Sequence, residues 1–314
     1  MAKATMIIGC PSSGKSSYSS ELEDQGFVHL NRDAYGGSVA DLLPIMDQLL
    51  EAGVNVVLDN TFPTVEGRSH FISVAKKTGA DINCIWISTS IEDAQINALF
   101  RMYDLVGHIC LDAKMCSDAK HPNVFPPAAL FKYRKQFEKP TTDEGFSNVT
   151  KVKFERDKNP DLVNKAIIFD YDGTLRTIPE GTQFYYPVNP SEVIILPGRT
   201  AEIINRYRNN GYHILGVSNQ SGIGKGNLTY DQAVACFEKT NELLGVKIEY
   251  KFCPHSVPPI SCYCRKPQSG LGVALIHEYK LDPKQVIMVG DLTSDKTFAS
   301  RLGFEYVDAN DFFK

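Results

Sequence analysis

The sequence contains no apolar run near the ~20 residues that a helix needs to cross a bilayer, so no membrane-spanning segment is expected. It also lacks a surplus of positive charge: 33 Lys and Arg stand against 37 Asp and Glu, a net charge of −4. That balance excludes a basic coat over the whole surface. A polyanion would have to be held by a local basic groove, because charge acts strongly only near a site. A disulfide framework is missing as well. Eight cysteines are scattered along a long chain whose N-terminus, Met1-Ala2-Lys3-Ala4, runs directly into an apolar strand, with no stretch for a secretory leader. The expectation is a reduced intracellular protein, cytoplasmic or nuclear, with no membrane partner. A length of 314 residues with 43% apolar content suits two domains, each with its own core.

What is present is concentrated in short motifs. Gly9-Cys10-Pro11-Ser12-Ser13-Gly14-Lys15-Ser16 fits the phosphate-cradling pattern G-x-x-x-x-G-K-[ST] at every fixed position. Ala4 to Ile8 before it reads as a buried parallel strand, and Ser17 to Leu22 after it can continue as a helix. Such a loop wraps successive N–H groups around an anion at a helix N-terminus, here over Gly9, Ser12, Ser13, Gly14 and Ser17. Lys15 adds a positive charge for the β- and γ-phosphates, and the Ser16 hydroxyl can sit on Mg²⁺. ATP and Mg²⁺ are the cofactors this loop implies.

The residues that follow alternate strand and helix. Gly26–Leu30, Asn55–Thr61 and Ile82–Ile87 read as strands, with helices over 40–52, 68–78 and 90–102, the pattern of a parallel α/β sheet. Ligands of such sheets bind beyond the C-terminal ends of the strands. Asp33, after the second strand, is placed to accept the proton of an attacking hydroxyl. Its neighbour Arg32 either touches substrate or pairs with Asp33 on the surface. Asp59 closes the third strand as a magnesium- or acceptor-side carboxylate, or simply as a helix N-cap. The stretch 103–127 reads as a loop, a candidate mobile lid, with Arg101 either its cation for the transferring phosphoryl or a solvated helix charge.

Phe131-Lys132-Tyr133-Arg134-Lys135-Gln136-Phe137-Glu138-Lys139-Pro140, continuing to Glu144-Gly145-Phe146, joins these motifs. Together with Asn31-Arg32-Asp33 and Asp59-Asn60-Thr61, it resembles the kinase domain of eukaryotic polynucleotide kinase/phosphatase. The resemblance implies ATP-dependent phosphorylation of a 5′-hydroxyl end of DNA or RNA. It makes Asp33 the general base, Lys15 and Ser16 the triphosphate and magnesium ligands, and Arg101 the transition-state cation. Residues 104–125 depart from the family pattern.

Lys151 to Asn164 is charged and contains Pro160, which places a boundary between domains 1–155 and 156–314. The apolar strand Ala166–Phe169 then delivers Asp170-Tyr171-Asp172-Gly173-Thr174, the D-x-D-G-T motif of haloacid-dehalogenase-type phosphatases. Two acids at this spacing allow Asp170 to attack phosphorus while Asp172 protonates the leaving oxygen and then activates water. Ser218, Lys266 and Asp291 follow in that family's order, as a phosphoryl hydrogen-bond donor, a charge-offsetting cation and a metal ligand. Asp170, Asp291 and the backbone carbonyl of Asp172 would hold Mg²⁺, with Asp295 adjacent. Arg32, Asp59, Asn219 and Arg265 are candidates for substrate contact.

Cys253-Pro254-His255 and Cys262-Tyr263-Cys264 place four soft ligands on a Pro-rich loop, the donor set of a closed structural zinc site. This loop and the run Ser218–Gly226 resemble histidinol-phosphate and heptose-bisphosphate phosphatases. Cys10, Cys84, Cys110, Cys116 and Cys236 read as packed residues or loop thiols. No long insertion follows Thr174 or precedes Lys266, so a large cap is not expected and the site stays open to a polymer end.

The expected architecture is thus α/β: two doubly wound parallel-sheet domains, a P-loop kinase and a haloacid-dehalogenase-like (Rossmannoid) phosphatase. The resemblances imply an enzyme that heals nucleic-acid ends, phosphorylating 5′-hydroxyls and removing 3′-phosphates, with nucleic-acid ends as partners and a ligase as the user of its products. Two other readings stand beside it. One is a kinase fused to a sugar- or amino-alcohol-phosphate phosphatase. The other is a non-catalytic nucleic-acid-binding protein, against which the complete set Lys15, Asp33, Asp170, Asp172, Lys266 and Asp291 argues.

Overall fold

A computed structural model describes residues 1–256 and 261–314. The Pro-rich middle of the Cys/His loop, 257–260, lies outside the described residues. Contacts divide the chain into one unit of Met1–Ala98 with Ala128–Asp157 and another of Leu99–Pro127 with Lys158–Lys314.

In the first unit β1 (Lys3–Ile8), β2 (Val28–Leu30), β3 (Val56–Asp59), β4 (Asp81–Ile87) and β5 (Asn148–Val152) form one sheet. Their order is β2-β3-β1-β4-β5 and every pairing is parallel. β1 is buried along nearly its whole length, as a strand covered on both faces requires. The helices are α1 (Lys15–Asp24), the single turn α2 (Arg32–Tyr35), α3 (Leu42–Glu51), α4 (Val65–Thr78) and the first half of α5 (Ile91–Val106). After an excursion that contains α6 (Ala113–Asp118), α7 (Pro127–Gln136) returns to this unit. Met6, Ile8, Leu58, Phe71, Ile72 and Phe146 are among the residues that fill its core.

The Tyr133–Gly145 motif has a structural job here. Arg68 on α4 is fully buried and grips Glu144 at 2.6 and 2.7 Å, while its Nη1 donates to the carbonyls of Phe62 and Glu138. The Glu138 carboxylate in turn accepts the Val65 amide at 2.7 Å, at the start of α4.

In the second unit β6 (Asn164–Phe169) is followed by a small antiparallel pair, β7 (Arg176–Thr177) and β8 (Ile194–Ile195). Then come α8 (Ala201–Asn209), β9 (Tyr212–Asn219), α9 (Ser221–Gly224), α10 (Tyr230–Leu244) and β10 (Glu249–Cys253). The chain ends with α11 (Gly270–Tyr279), β11 (Leu281–Gly290), α12 (Thr293–Leu302), β12 (Glu305–Asp308) and α13 (Ala309–Phe312). The main sheet runs β10-β9-β6-β11-β12, again all parallel. Between β6 and α8 the β7–β8 pair is the only regular sheet, so no large cap stands there.

Two expectations change. The stretch 103–127 is not a plain loop: α5 continues to Val106, and α6 forms with Asp112 as its N-cap. Nor does it belong to the first half. Leu99–Pro127 groups with the second unit, so the limits 1–155 and 156–314 give way to an interrupted first unit and a linker break after Asp157. The reason is visible in the contacts. The Tyr103 ring stacks on His277 at 3.9 Å, the Tyr263 amide donates to the Leu111 carbonyl at 2.9 Å, and the Tyr263 hydroxyl donates to the Phe125 carbonyl at 3.0 Å. Local periodicity reports a helix but not which core the helix joins.

Candidate phosphoryl-transfer sites

The phosphate loop sits between β1 and α1. Gly14, at φ +93°, is the N-cap that turns the loop into the helix, a conformation that only glycine adopts without strain. Lys15 Nζ lies back over its own loop, 3.2 Å from the Gly9 carbonyl and 3.0 Å from that of Cys10. The Ser12 and Ser13 hydroxyls are buried with no hydrogen-bond partner among the described residues. Bound phosphate oxygens would satisfy such donors, so the loop fits a nucleotide phosphate. Ser16 and Ser17 open α1, and the Ser16 carbonyl accepts the Ser19 hydroxyl at 3.0 Å. That hydroxyl also approaches Asp59 Oδ2 at 3.2 Å, so the buried acid at the end of β3 is tied to the N-terminal half of α1.

Asp33 lies in the first turn of α2, where its amide is capped by Asn31 at 2.6 Å. Arg32 Nη2 is 2.8 Å from Asp33 Oδ1 and both side chains are exposed, so of the two readings of this pair the structure shows the surface ion pair. An exposed pair of this kind contributes about 0–1 kcal/mol, weak enough to part for a substrate. Arg101 falls in the part of α5 that groups with the second unit. Within the first unit Arg156 is linked to the loop through Asn97, a connection that sequence reasoning missed. Its Nη1 donates to Asn97 Oδ1, and Asn97 Nδ2 donates to the Ser12 carbonyl at 2.9 Å. Nothing local to Arg156 signals this, because Asn97 is far away in sequence.

The second site gathers at the C-terminal ends of β6, β9 and β11. Asp170, directly after β6, is buried, with Lys266 Nζ at 2.6 Å. Lys266 also holds Asp295 at 2.8 Å and donates to the Val217 carbonyl at 3.0 Å. Burial lifts the Asp170 carboxyl to about 7 against the pull of Lys266, with the charge of Asp295 adding to the rise. Burial raises Asp291 too. Burial works against the charge of Lys266, yet Asp170 and Asp295 more than offset it and hold the ammonium above its ordinary value. Gly173, at φ +90°, passes so close to Asp291 that a Cβ there would overlap its carboxylate. Thr174 Oγ1 donates to Asp291 Oδ1 at 3.1 Å.

Oxygens of Asp170, Asp291 and Asp295 all lie within 4.8 Å of one another. Three hard, crowded carboxylate donors, two of them (Asp170 and Asp291) with raised proton affinity, fit a Mg²⁺ ion, whose charge would relieve that crowding. Asp295 therefore joins the cluster directly, and the side chain of Asp172 does not. The Asp172 carboxylate turns instead to Arg176 Nε at 2.7 Å and Gln220 Nε2 at 2.6 Å, with Ser218 Oγ at 3.4 Å.

Two candidates for substrate contact behave differently. Asn219 spends its amide on the backbone of Lys266, donating to its carbonyl at 3.0 Å and accepting its N–H at 2.9 Å. Arg265 keeps a buried Nη1 with no hydrogen-bond partner among the described residues, which leaves it open to an anion. Arg176 and Gln220 are further residues that sequence reasoning gave no role. Gln220 stands beside a recognised residue, but Arg176 had no motif to mark it.

Cys253, His255, Cys262 and Cys264 also converge, with all four donor atoms within 4.8 Å of one another. Cys253 Sγ lies 3.7 Å from Cys262 Sγ and 3.6 Å from His255 Nδ1, which is 3.1 Å from Cys264 Sγ. A tetrahedron with Zn–S near 2.3 Å has edges of about 3.8 Å, so the set fits zinc in spacing as well as chemistry. Hydrogen bonds from Cys253 and Cys264 pull the Cys262 thiol well down while contacts with Cys253 and Cys262 push the Cys264 thiol well up, so one thiol of the set ionises ahead of the others.

Residues 165–313 match the family described as Polynucleotide kinase 3 phosphatase. A probable D-glycero-D-manno-heptose-1,7-bisphosphate 7-phosphatase of Thermoplasma volcanium is 37% identical over 44% of this chain and 93% of its own length. The chain belongs to the phosphatase family that these heptose-bisphosphate enzymes represent, on a haloacid-dehalogenase-type fold. A bifunctional polynucleotide phosphatase/kinase of Schizosaccharomyces pombe is 30% identical over 48% of this chain but only 33% of that protein. Among solved structures, D,D-heptose 1.7-bisphosphate phosphatase from B. bronchiseptica is 27% identical over 45% of this chain and 78% of its own, with a TM-score of 0.40. The chain joins this phosphatase fold to a parallel α/β unit whose phosphate loop lies between β1 and α1. Among the described residues no helix is long and apolar enough to cross a membrane.

Proposed function

We propose that this chain heals nucleic-acid ends: its first unit adds phosphate from ATP to a 5′-hydroxyl, and its second removes a 3′-phosphate. One observation carries the reading. A phosphate loop with unsatisfied buried hydroxyls shares a chain with an acid pair, Asp170 and Asp172, inside a region that matches the polynucleotide 3′-phosphatase family. Magnesium, when bound, would offset negative charge at both phosphoryl groups. In the second unit Asp170 attacks phosphorus to give an aspartyl-phosphate. Asp172 gives a proton to the departing oxygen, then takes one from the water that releases phosphate. Ser218 and Lys266 steady the phosphoryl oxygens and the nucleophile. In the first unit Lys15 faces the transferring phosphate, and Asp33, freed from Arg32, accepts the proton of the attacking hydroxyl.

The second reading, a small-molecule phosphatase, is favoured by the Cys/His loop and by the heptose-bisphosphate relatives. One assay separates them. The protein, ATP and Mg²⁺ are given an oligonucleotide with a 5′-hydroxyl, another with a 3′-phosphate, and in parallel D-glycero-D-manno-heptose 1,7-bisphosphate. Both oligonucleotide ends should change, with Lys15→Ala losing only phosphate addition and Asp170→Asn only phosphate removal. Turnover of the sugar bisphosphate alone, with both oligonucleotides untouched, defeats the end-healing reading.

A further inference from the structure

The two ring nitrogens of His255 face different surroundings. Nδ1 turns into the sulfur cluster, and Nε2 lies 3.3 Å from Asp112 Oδ2. Asp112 comes from the Leu99–Pro127 excursion, far from the metal loop in sequence but in the same unit. Its carboxylate is divided between two tasks: Oδ1 accepts the Met115 amide at 2.9 Å as the N-cap of α6, while Oδ2 meets the imidazole. The excursion is anchored independently by Tyr263 hydrogen bonds to the Leu111 and Phe125 carbonyls, and by the Tyr103–His277 stack. Tyr263 itself stands between two of the cysteines.

We propose that Asp112 is the positioning carboxylate of the metal loop: it accepts the Nε2–H of His255 and fixes Nδ1 as the metal-binding nitrogen. The proposal rests on the zinc reading of the four-residue cluster. A metal-bound histidine needs a partner for its second N–H, and loss of that partner typically weakens metal binding 10–100-fold. The placement has a catalytic corollary. Cys264 leads through Arg265 directly to Lys266, so the carboxylate that fixes the metal loop also steadies the segment carrying the cation beside Asp170.

Asp112→Asn tests this, because asparagine is as good an N-cap as aspartate. The substitution keeps α6 capped but removes the negative acceptor. The full-length protein is analysed for zinc, and its transfer to the chromophoric chelator 4-(2-pyridylazo)resorcinol is timed. Wild type should carry one equivalent and release it slowly, and Asp112→Asn should release it about 10–100-fold faster. Tyr103→Ala, which loosens the excursion away from the metal, should release zinc at the wild-type rate. A zinc-loaded wild type with unchanged release from Asp112→Asn overturns the role of Asp112 alone. Equal acceleration by Tyr103→Ala overturns it too, because generic docking would then suffice. A wild type without zinc overturns both the proposal and the metal reading beneath it.

Discussion

Arg176 Nε lies 2.7 Å from Asp172 Oδ1, so the candidate general acid is gripped from behind by a buried guanidinium. Arg176 is itself fixed by Thr240 Oγ1 at 3.0 Å and by the ring of Phe237. On the other oxygen, Gln220 donates at 2.6 Å. The Asp172 carboxylate is thus aimed from two sides before any substrate arrives, as an acid that must hand over a proton at one defined atom requires.

Gln220→Leu removes one of these aiming contacts without touching the metal cluster. Its expected effect is a fall in phosphatase kcat of about 10²-fold, the lower range of a general acid–base contribution, with KM little changed. Phosphate addition by the first unit should be unaffected. Steady-state kinetics of both activities on one protein sample checks the prediction.

Gly173→Ala should disable the second unit. The residue adopts φ +90° and its added Cβ would overlap the Asp291 carboxylate. A non-glycine residue held in such a backbone costs about 1–3 kcal/mol, and a displaced Asp291 weakens Mg²⁺. Thermal unfolding, together with the Mg²⁺ dependence of phosphatase activity, should show both losses.

Arg68→Met should destabilise the first unit severely. Arg68 is fully buried and Glu144 nearly so, and the variant leaves that carboxylate without its charge partner. Breaking one side of a buried pair typically costs about 3–5 kcal/mol. The double variant Arg68→Met with Glu144→Gln should recover part of the loss, and denaturant unfolding measures both.

Asp170 gives the metal-free protein a pH signature. Its carboxyl is lifted to about 7 by burial, against about 3.9 for an exposed aspartate. Between those values the folded state holds a proton that the unfolded state has released, so stability falls as pH rises through the window. Unfolding free energies of wild type and Asp170→Asn, measured in EDTA from about pH 5 to 8, should therefore diverge, with wild type losing ground as pH rises. Saturating Mg²⁺ should flatten the wild-type slope.

The phosphate loop and the D-x-D-G-T run were legible because each is contiguous and its backbone shape is dictated locally, by Gly14 in one and Gly173 in the other. The two parallel sheets were legible for a similar reason: doubly covered strands such as β1 are apolar end to end. What stayed hidden was non-local. Arg156 and Asp112 acquire meaning only from partners that the fold brings near, and no spacing encodes such meetings. Glu138 and Glu144 show the converse. In the sequence they carry a family resemblance, and in the structure they hold Arg68 and the start of α4.

The interruption of the first unit by Leu99–Pro127 bears on how this protein can be taken apart. A cut at the charged linker near residue 157 looks natural, yet it separates the excursion from the body it packs on. Ile109, Cys110, Cys116 and Val124, all buried in the intact chain, would be left on the N-terminal fragment without their covering. That fragment would carry a sticky apolar flap, and the C-terminal fragment would lose Asp112 from its metal loop. The two compact units are therefore inseparable by a single cleavage, and a ribosome making this chain completes neither until the sequence has crossed from one to the other and back.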